Sequence, residues 1–246
     1  MEPLADPIAE GTRIAEAAAE RGVPLRLLGG VAVALSCPSS RRPPLRRQYG
    51  DIDFATSSTA RKEVTRFLQG LGYVPDREFN ILHGHRRLYF ADPVNQRQVD
   101  VFVDEANLCH RIDLRRRLET VPLTLPFAEL ALMKLQVVET NEKDYLDLCA
   151  IFADHELSDD DVGVNYRYIA ELCASDWGLW RTVGIVAERT EGFALQLSEF
   201  EAAERVADRL RELRSKLDTV PKSRRWKLRS RVGERKRWYE IPEEVH

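Results

Sequence analysis

The chain has no run of about 18 apolar residues, so it offers no membrane-spanning helix. It has four cysteines, Cys37, Cys109, Cys149 and Cys173, widely scattered and with no CxxC pair. That spacing excludes a disulfide framework or a cysteine zinc site and leaves buried, reduced thiols as the expectation. The N-terminus lacks a basic block followed by an apolar one; Glu2 and Asp6 come early instead. A signal peptide is therefore not expected, and the cytoplasm is the expected compartment. No internal repeat and no low-complexity block is present.

The apolar fraction, 43% of 246 residues, suits a globular protein with a sizeable core. Net charge is only −3, but it is unevenly spread. From Arg209 to Arg237 there are thirteen Lys or Arg against three acids, a net +10 that leaves −13 for the remainder. An acidic body with a basic C-terminal stretch suggests carboxylates for a metal in one part and attraction to a polyanion in the other.

Hydrophobic spacing predicts a helix over Ala5–Arg21, a strand over Leu25–Leu28, and a short helix after Gly29-Gly30. The Pro-, Ser- and Arg-rich Cys37–Tyr49 reads as a mobile loop. Asp51–Ala55 reads as a strand, and Ser57 or Ser58 as the cap of a helix running to about Gly70. Arg86–Phe90 and Gln98–Val103 read as two strands able to form a hairpin. Beyond Pro122 the texture turns helical, with candidates at Leu125–Val138, Tyr145–Phe152, Tyr166–Cys173 and Phe200–Leu217. The expectation is an α/β (α+β) domain with a small mixed sheet over residues 1–122. A helical domain over 123–218 and a basic, partly disordered tail over 219–246 follow it.

Three features point to chemistry. Gly29 and Gly30 stand between a strand and a helix, where bare backbone can approach a phosphate and the first helical N–H groups face an anion. A tight turn without any ligand has the same signature. Next, Asp51 and Asp53 alternate with Ile52 and Phe54, so the two carboxylates share one strand face. Their repulsion, roughly 1 kcal/mol in water at ~4 Å and more in a cleft, invites a cation. Hard oxygen donors suit Mg²⁺ or Mn²⁺ bridging to substrate phosphates. A solvated acidic face is the plain alternative. Third, Asp100 sits between Val99 and Val101, a poor place for an unpaired acid. If its strand adjoins the first, three carboxylates converge as two-metal phosphoryl transfer requires.

The order LLGGVAVAL, GDIDFAT, QVDVFV resembles the nucleotidyltransferase superfamily that includes DNA polymerase β. Leu130–Gln136 followed by Asn141–Leu148 is similar to the KL…KDxxDL signature of AbiEii/MenT-type nucleotidyltransferases, a group that includes toxins of toxin–antitoxin pairs, some of which extend tRNA. The likeness covers roughly residues 25–150. It implies an enzyme that transfers NMP from an NTP to an acceptor hydroxyl, with RNA or tRNA as acceptor and a cognate antitoxin as partner. Carried over, Gly29 and Gly30 would cradle phosphates, and Asp51, Asp53 and Asp100 would hold metal, Asp100 also accepting the acceptor's proton. Lys134 would contact the triphosphate, with Lys143 nearby; Asp144 or Asp147 would be the helical acid, and their spacing puts both on one face.

One departure is Arg47-Gln48-Tyr49-Gly50, where the family often has Arg-x-Thr; Arg47 can still meet a phosphate. His83-Gly84-His85 reads as a polar hairpin rim rather than a metal site. Trp177 and Trp180 read as helix packing. Trp226, Trp238 and Tyr239 are candidates for stacking on nucleic acid, or for a tail that folds back on the body. Two other functions remain open: transfer to a small molecule or protein side chain, and nucleotide binding without catalysis.

Overall fold

A computed structural model describes residues 2–241, and within it the chain divides into two compact units. Among the described residues, the first comprises 2–36, 48–106 and 112–126; the second comprises 37–47, 107–111 and 127–241. A single break near residue 122 does not foresee the two early stretches that join the second unit.

The first unit begins with helix α1 (Pro7–Glu20), capped by Asp6, whose carboxylate accepts the Ala9 N–H at 2.7 Å. Strand β1 (Leu25–Leu28) runs directly into α2 (Gly29–Ser36). Then come β2 (Asp51–Thr56), α3 (Arg61–Gly70), β3 (Val74–Pro75), α4 (Arg77–His83), β4 (Arg87–Asp92) and β5 (Arg97–Val103). The five strands form one mixed sheet in the order β1-β2-β5-β4-β3, with β2 and β5 parallel and the other pairs antiparallel. The expected hairpin of β4 and β5 is thus present. Ile52, Phe54, Phe90, Val99 and Val101 are fully buried, so alternate residues of the three inner strands form one side of the core. Glu10 is buried as well, but its carboxylate is satisfied by Arg13, Tyr73 and the Leu4 N–H.

Two expectations in this unit need correction. Helix α3 begins after Ala60 with no side-chain cap; the Ser58 N–H is donated instead to the Asp104 carboxylate at 2.8 Å. The His83-Gly84-His85 segment is not a hairpin rim: His83 ends α4, Gly84 caps it, and the His83 ring lies 4.8 Å from that of Phe79.

A short ribbon of β6 (Glu105–Asn107) and β7 (Arg111–Asp113) follows. The second unit is then helical: α5 (Phe127–Leu135), α6 (Glu142–Asp154), the two-residue strands β8 (Leu157–Ser158) and β9 (Val164–Asn165), α7 (Tyr166–Ser175), α8 (Trp177–Gln196), α9 (Ala203–Thr219) and α10 (Arg224–Val232). Helix α9 packs against α6, α7 and α8, burying Val206, Leu210, Leu213 and Leu217 on one stripe. Together these elements make the mixed α/β architecture with a small sheet and a helical region that the residue pattern predicts.

The Cys37–Tyr49 segment is pinned rather than loose. A 3-10 turn spans Pro38–Arg41, Leu45 is buried, and Asp154 accepts hydrogen bonds from the Ser39 N–H and hydroxyl at 2.8 and 2.5 Å. The basic tail is also ordered through Ile241. Ser223 caps α10, Trp226 meets Trp180 edge-on at 5.3 Å, and Trp238 meets Trp177 edge-on at 6.1 Å. The Arg229 guanidinium lies 4.7 Å over the Trp177 ring. The tail aromatics read as stacking candidates for nucleic acid are thus used within the chain; residues 242–246 lie outside the described residues. All four cysteines are buried and free, and burial pushes the Cys149 thiol up to about 12. No helix among the described residues is long and apolar enough to cross a membrane.

Candidate active site

In the first unit the parallel pairing of β2 with β5 places Asp53 directly opposite Asp100, and Asp51 opposite Gln98. Residues opposite one another in a parallel pair point to the same side, and Asp51, two before Asp53, shares that side. The three carboxylates therefore belong to one face of the sheet. Asp51 is exposed, Asp53 half-buried and Asp100 buried, so the face runs from solvent inward.

Gly29 explains its own presence. Its φ is +69°, a left-handed conformation that favours glycine. A Cβ there would lie 2.0 Å from Asp53 Oδ2, closer than any side chain tolerates. The missing side chain lets the Asp53 carboxylate rest against the start of α2. Gly30 follows in the first turn of the same helix.

Asp100 is not a free ligand. Arg87, near the start of β4, donates from Nε to Asp100 Oδ1 at 2.6 Å and from Nη2 to Oδ2 at 2.5 Å, engaging both carboxylate oxygens. The same guanidinium lies 5.0 Å over the Phe102 ring. Burial holds the Asp100 carboxyl above the usual carboxylate range; Arg87 works against that shift and Asp51 adds to it. Among the described residues no three His, Cys, Asp or Glu side chains are arranged to hold a metal ion. Paired carboxylate oxygens such as those of Asp51 and Asp53 are donors of the kind that would suit Mg²⁺, which is usually held by one or two carboxylates and completed by phosphate and water. Arg87 is the functional candidate that residue spacing does not single out. Its partner is known only once the β4–β5 register is fixed.

In the second unit, Lys134 on α5 and Asp144 and Asp147 on α6 form one network with Arg47. The Lys134 ammonium lies 2.8 Å from Asp144 Oδ1 and 3.1 Å from Asp147 Oδ2. Arg47 binds Asp147 with two hydrogen bonds, both 2.8 Å. Burial alone would lower the Lys134 pKa, but Asp147 and Asp144 outweigh it and raise it, so the side chain stays charged. Asp144 has a second duty: with Asn141 it forms the capping box of α6. Asp147, held by both cations, has no such local role. Lys143 is exposed and stands outside the network.

No protein-family model matches the chain, and no curated protein matches it. Among solved structures, the chain is similar to a "putative nucleotidyltransferase" from H. pylori at 12% identity and a TM-score of 0.38, over 86% of this chain and 95% of that one. It is also similar to JHP933 from Helicobacter pylori at 12% identity and a TM-score of 0.37, over 93% and 95% of the two chains. At that identity and those TM-scores the likenesses say nothing of what this chain binds or acts on.

Proposed function

We propose that the chain is a metal-dependent nucleotidyltransferase that moves NMP from an NTP to an acceptor hydroxyl. The observation that carries this reading is the register that sets Asp53 opposite Asp100, with Asp51 on the same face and Gly29 cleared of a side chain beneath Asp53. Arg87 offsets part of the negative charge on this face, and a divalent cation would offset more of it. When bound there, Mg²⁺ or Mn²⁺ would neutralise triphosphate charge and polarise the reacting phosphorus.

The chain's own residues position and neutralise. Asp51 and Asp53 would hold the cation, and the backbone at Gly29 and Gly30 would admit the phosphates to the N-terminus of α2. Asp100 can accept the acceptor's proton or join the cation only when Arg87 releases it, and an incoming phosphate offers Arg87 an equivalent partner. The resemblance assigns Lys134 to the triphosphate, which requires Asp144 or Asp147 to release its ammonium in the same way. The catalysis is mainly alignment and charge stabilisation.

An RNA acceptor, tRNA in particular, rests on the resemblance and on the exposed Arg224, Arg225, Lys227, Arg231, Lys236 and Arg237 of the tail. A toxin role and a cognate antitoxin rest on the resemblance alone. The packing of Trp226 and Trp238 against α8 removes the base-stacking support for RNA and favours a smaller acceptor as the second reading. Incubation with α-labelled NTPs, Mg²⁺ or Mn²⁺ and total tRNA tests both. Label on tRNA supports the first reading, and label only on added small hydroxyl compounds supports the second. No transfer by folded protein with any NTP, metal or acceptor contradicts the proposal.

A further inference from the structure

The first unit contains a second feature unrelated to the carboxylates. Between α3, α4 and β4 lies an open cleft of about 680 Å³, lined by Arg61, Lys62, Arg66, Arg77 and His85 with Thr65 and Asn80. Pro75, Ile81 and Leu88 supply its apolar part, and no Asp or Glu lines it. Four permanent cations converge here in a chain whose net charge is −3. None of the four makes an ion pair among the described residues; Arg61 donates one hydrogen bond, to the Gly84 carbonyl, and so keeps donors to spare. Ile81, 82% exposed, presents an apolar surface at the cleft.

The cleft is distinct from the carboxylate face. Leu88 lines it, whereas Arg87 and Tyr89, the alternate residues of β4, lie on the side of Asp100, the partner of Tyr89 in register.

We propose that this cleft is a binding site for a small polyphosphorylated molecule, separate from the catalytic NTP and independent of metal. Guanidinium groups bind phosphate through paired N–H donors, and three of them facing one cleft match several phosphates on one ligand. The size is that of a small-molecule site, and the aliphatic patch at Ile81, Leu88 and Pro75 offers a surface for an attached nucleoside. A nucleic-acid strand would call for cations spread along a track and for aromatic platforms, and the lining contains neither Phe, Tyr nor Trp.

Calorimetry of the full chain in EDTA, with inorganic tripolyphosphate and with ATP as probes, tests this without involving the metal site. The expected result is 1:1 binding of both probes, retained in Asp53→Asn and weakened at least tenfold in Arg66→Ala/Arg77→Ala. The exposed single variant Lys62→Gln should weaken both probes several-fold, and Ile81→Ser should weaken ATP alone. If Ile81→Ser leaves ATP unchanged, the nucleoside part of the proposal is overturned and a bare phosphate chain is the ligand. No binding, equal binding in the folded double variant, loss of binding in Asp53→Asn, or tighter binding of a 12-nucleotide oligouridylate than of ATP would overturn the site itself. Because EDTA removes the cation, transfer activity can fail while this site stands, and the reverse.

Discussion

Replacing Arg87 with Met isolates the most unusual contact on the carboxylate face. Arg87 holds both oxygens of Asp100, whose side chain is 11% exposed against 26% for Arg87. Removing one partner of a buried pair costs about 3–5 kcal/mol, because the remaining charge stays buried without compensation. The partial exposure of Arg87 puts the expectation near the lower end, about 3 kcal/mol. For a chain of this length, that is a Tm lower by about 6–12 °C. The pH dependence follows from Asp100, whose carboxyl is already held above its usual range by burial and loses Arg87, the cation that opposes that shift, in the variant. A carboxyl raised in the folded state favours folding while protonated and penalises it as pH climbs from the unfolded value, near ~3.9, through the folded one. The variant should therefore lose more stability at pH 8 than at pH 4.5. Arg87→Met/Asp100→Asn, which removes the stranded charge, should recover most of the loss and show little of this pH dependence. Urea unfolding of the two variants and wild type at both pH values measures it. An equal loss in the single and double variants would show that Arg87 acts through packing on Phe102, and would refute the reasoning.

Other outcomes follow from the same contacts. Gly29→Ala should displace the Asp53 carboxylate and impose a strained φ of +69°, costing at least about 1 kcal/mol and abolishing transfer; thermal unfolding and label transfer check both. Lys134→Met, which strands Asp144 and leaves Asp147 to Arg47, should destabilise by about 3 kcal/mol or more, whereas the exposed Lys143→Met should stay within about 0.5 kcal/mol; parallel urea titrations compare them. Truncation after Lys222 should uncover Trp177 and Trp180, seen as a red shift in tryptophan emission and a lower Tm; an unchanged spectrum would mean the tail does not cover them.

Legibility in the sequence followed the strength of the local pattern. Strand β1 is bracketed by Pro24 and Gly29, and its predicted bounds match. The alternation of acids and apolar residues in Asp51–Phe54 and Val99–Phe102 gave β2 and β5, and the three-carboxylate face with them. Helix α8, the longest among the described residues, has little local signal beyond its tryptophans: Gly178, Gly184 and Gly192 weaken its propensity, and packing against α9 supplies the compensation. Helix α4 buries no residue, so it has no core stripe to read; only the Asp76 cap announces it. The Arg87–Asp100 pair was hidden for a different reason. Arg87 is in register with Phe102, so it reaches Asp100 diagonally, and no spacing rule yields a diagonal contact before the register is known. For the tail, charge suggests disorder and the interleaved aromatics suggest folding back; the second holds, with Trp226, Trp238 and Arg229 packed on Trp180 and Trp177 of α8.

The central claim is that Asp51 and Asp53 hold a divalent cation together with a nucleoside triphosphate. Electron paramagnetic resonance of Mn²⁺ titrated with the protein and a non-hydrolysable NTP analogue tests it directly. Wild type should take up Mn²⁺ with the analogue present, and Asp51→Asn/Asp53→Asn should bind it at least tenfold more weakly while remaining folded. Equal Mn²⁺ uptake by that double variant would contradict the account.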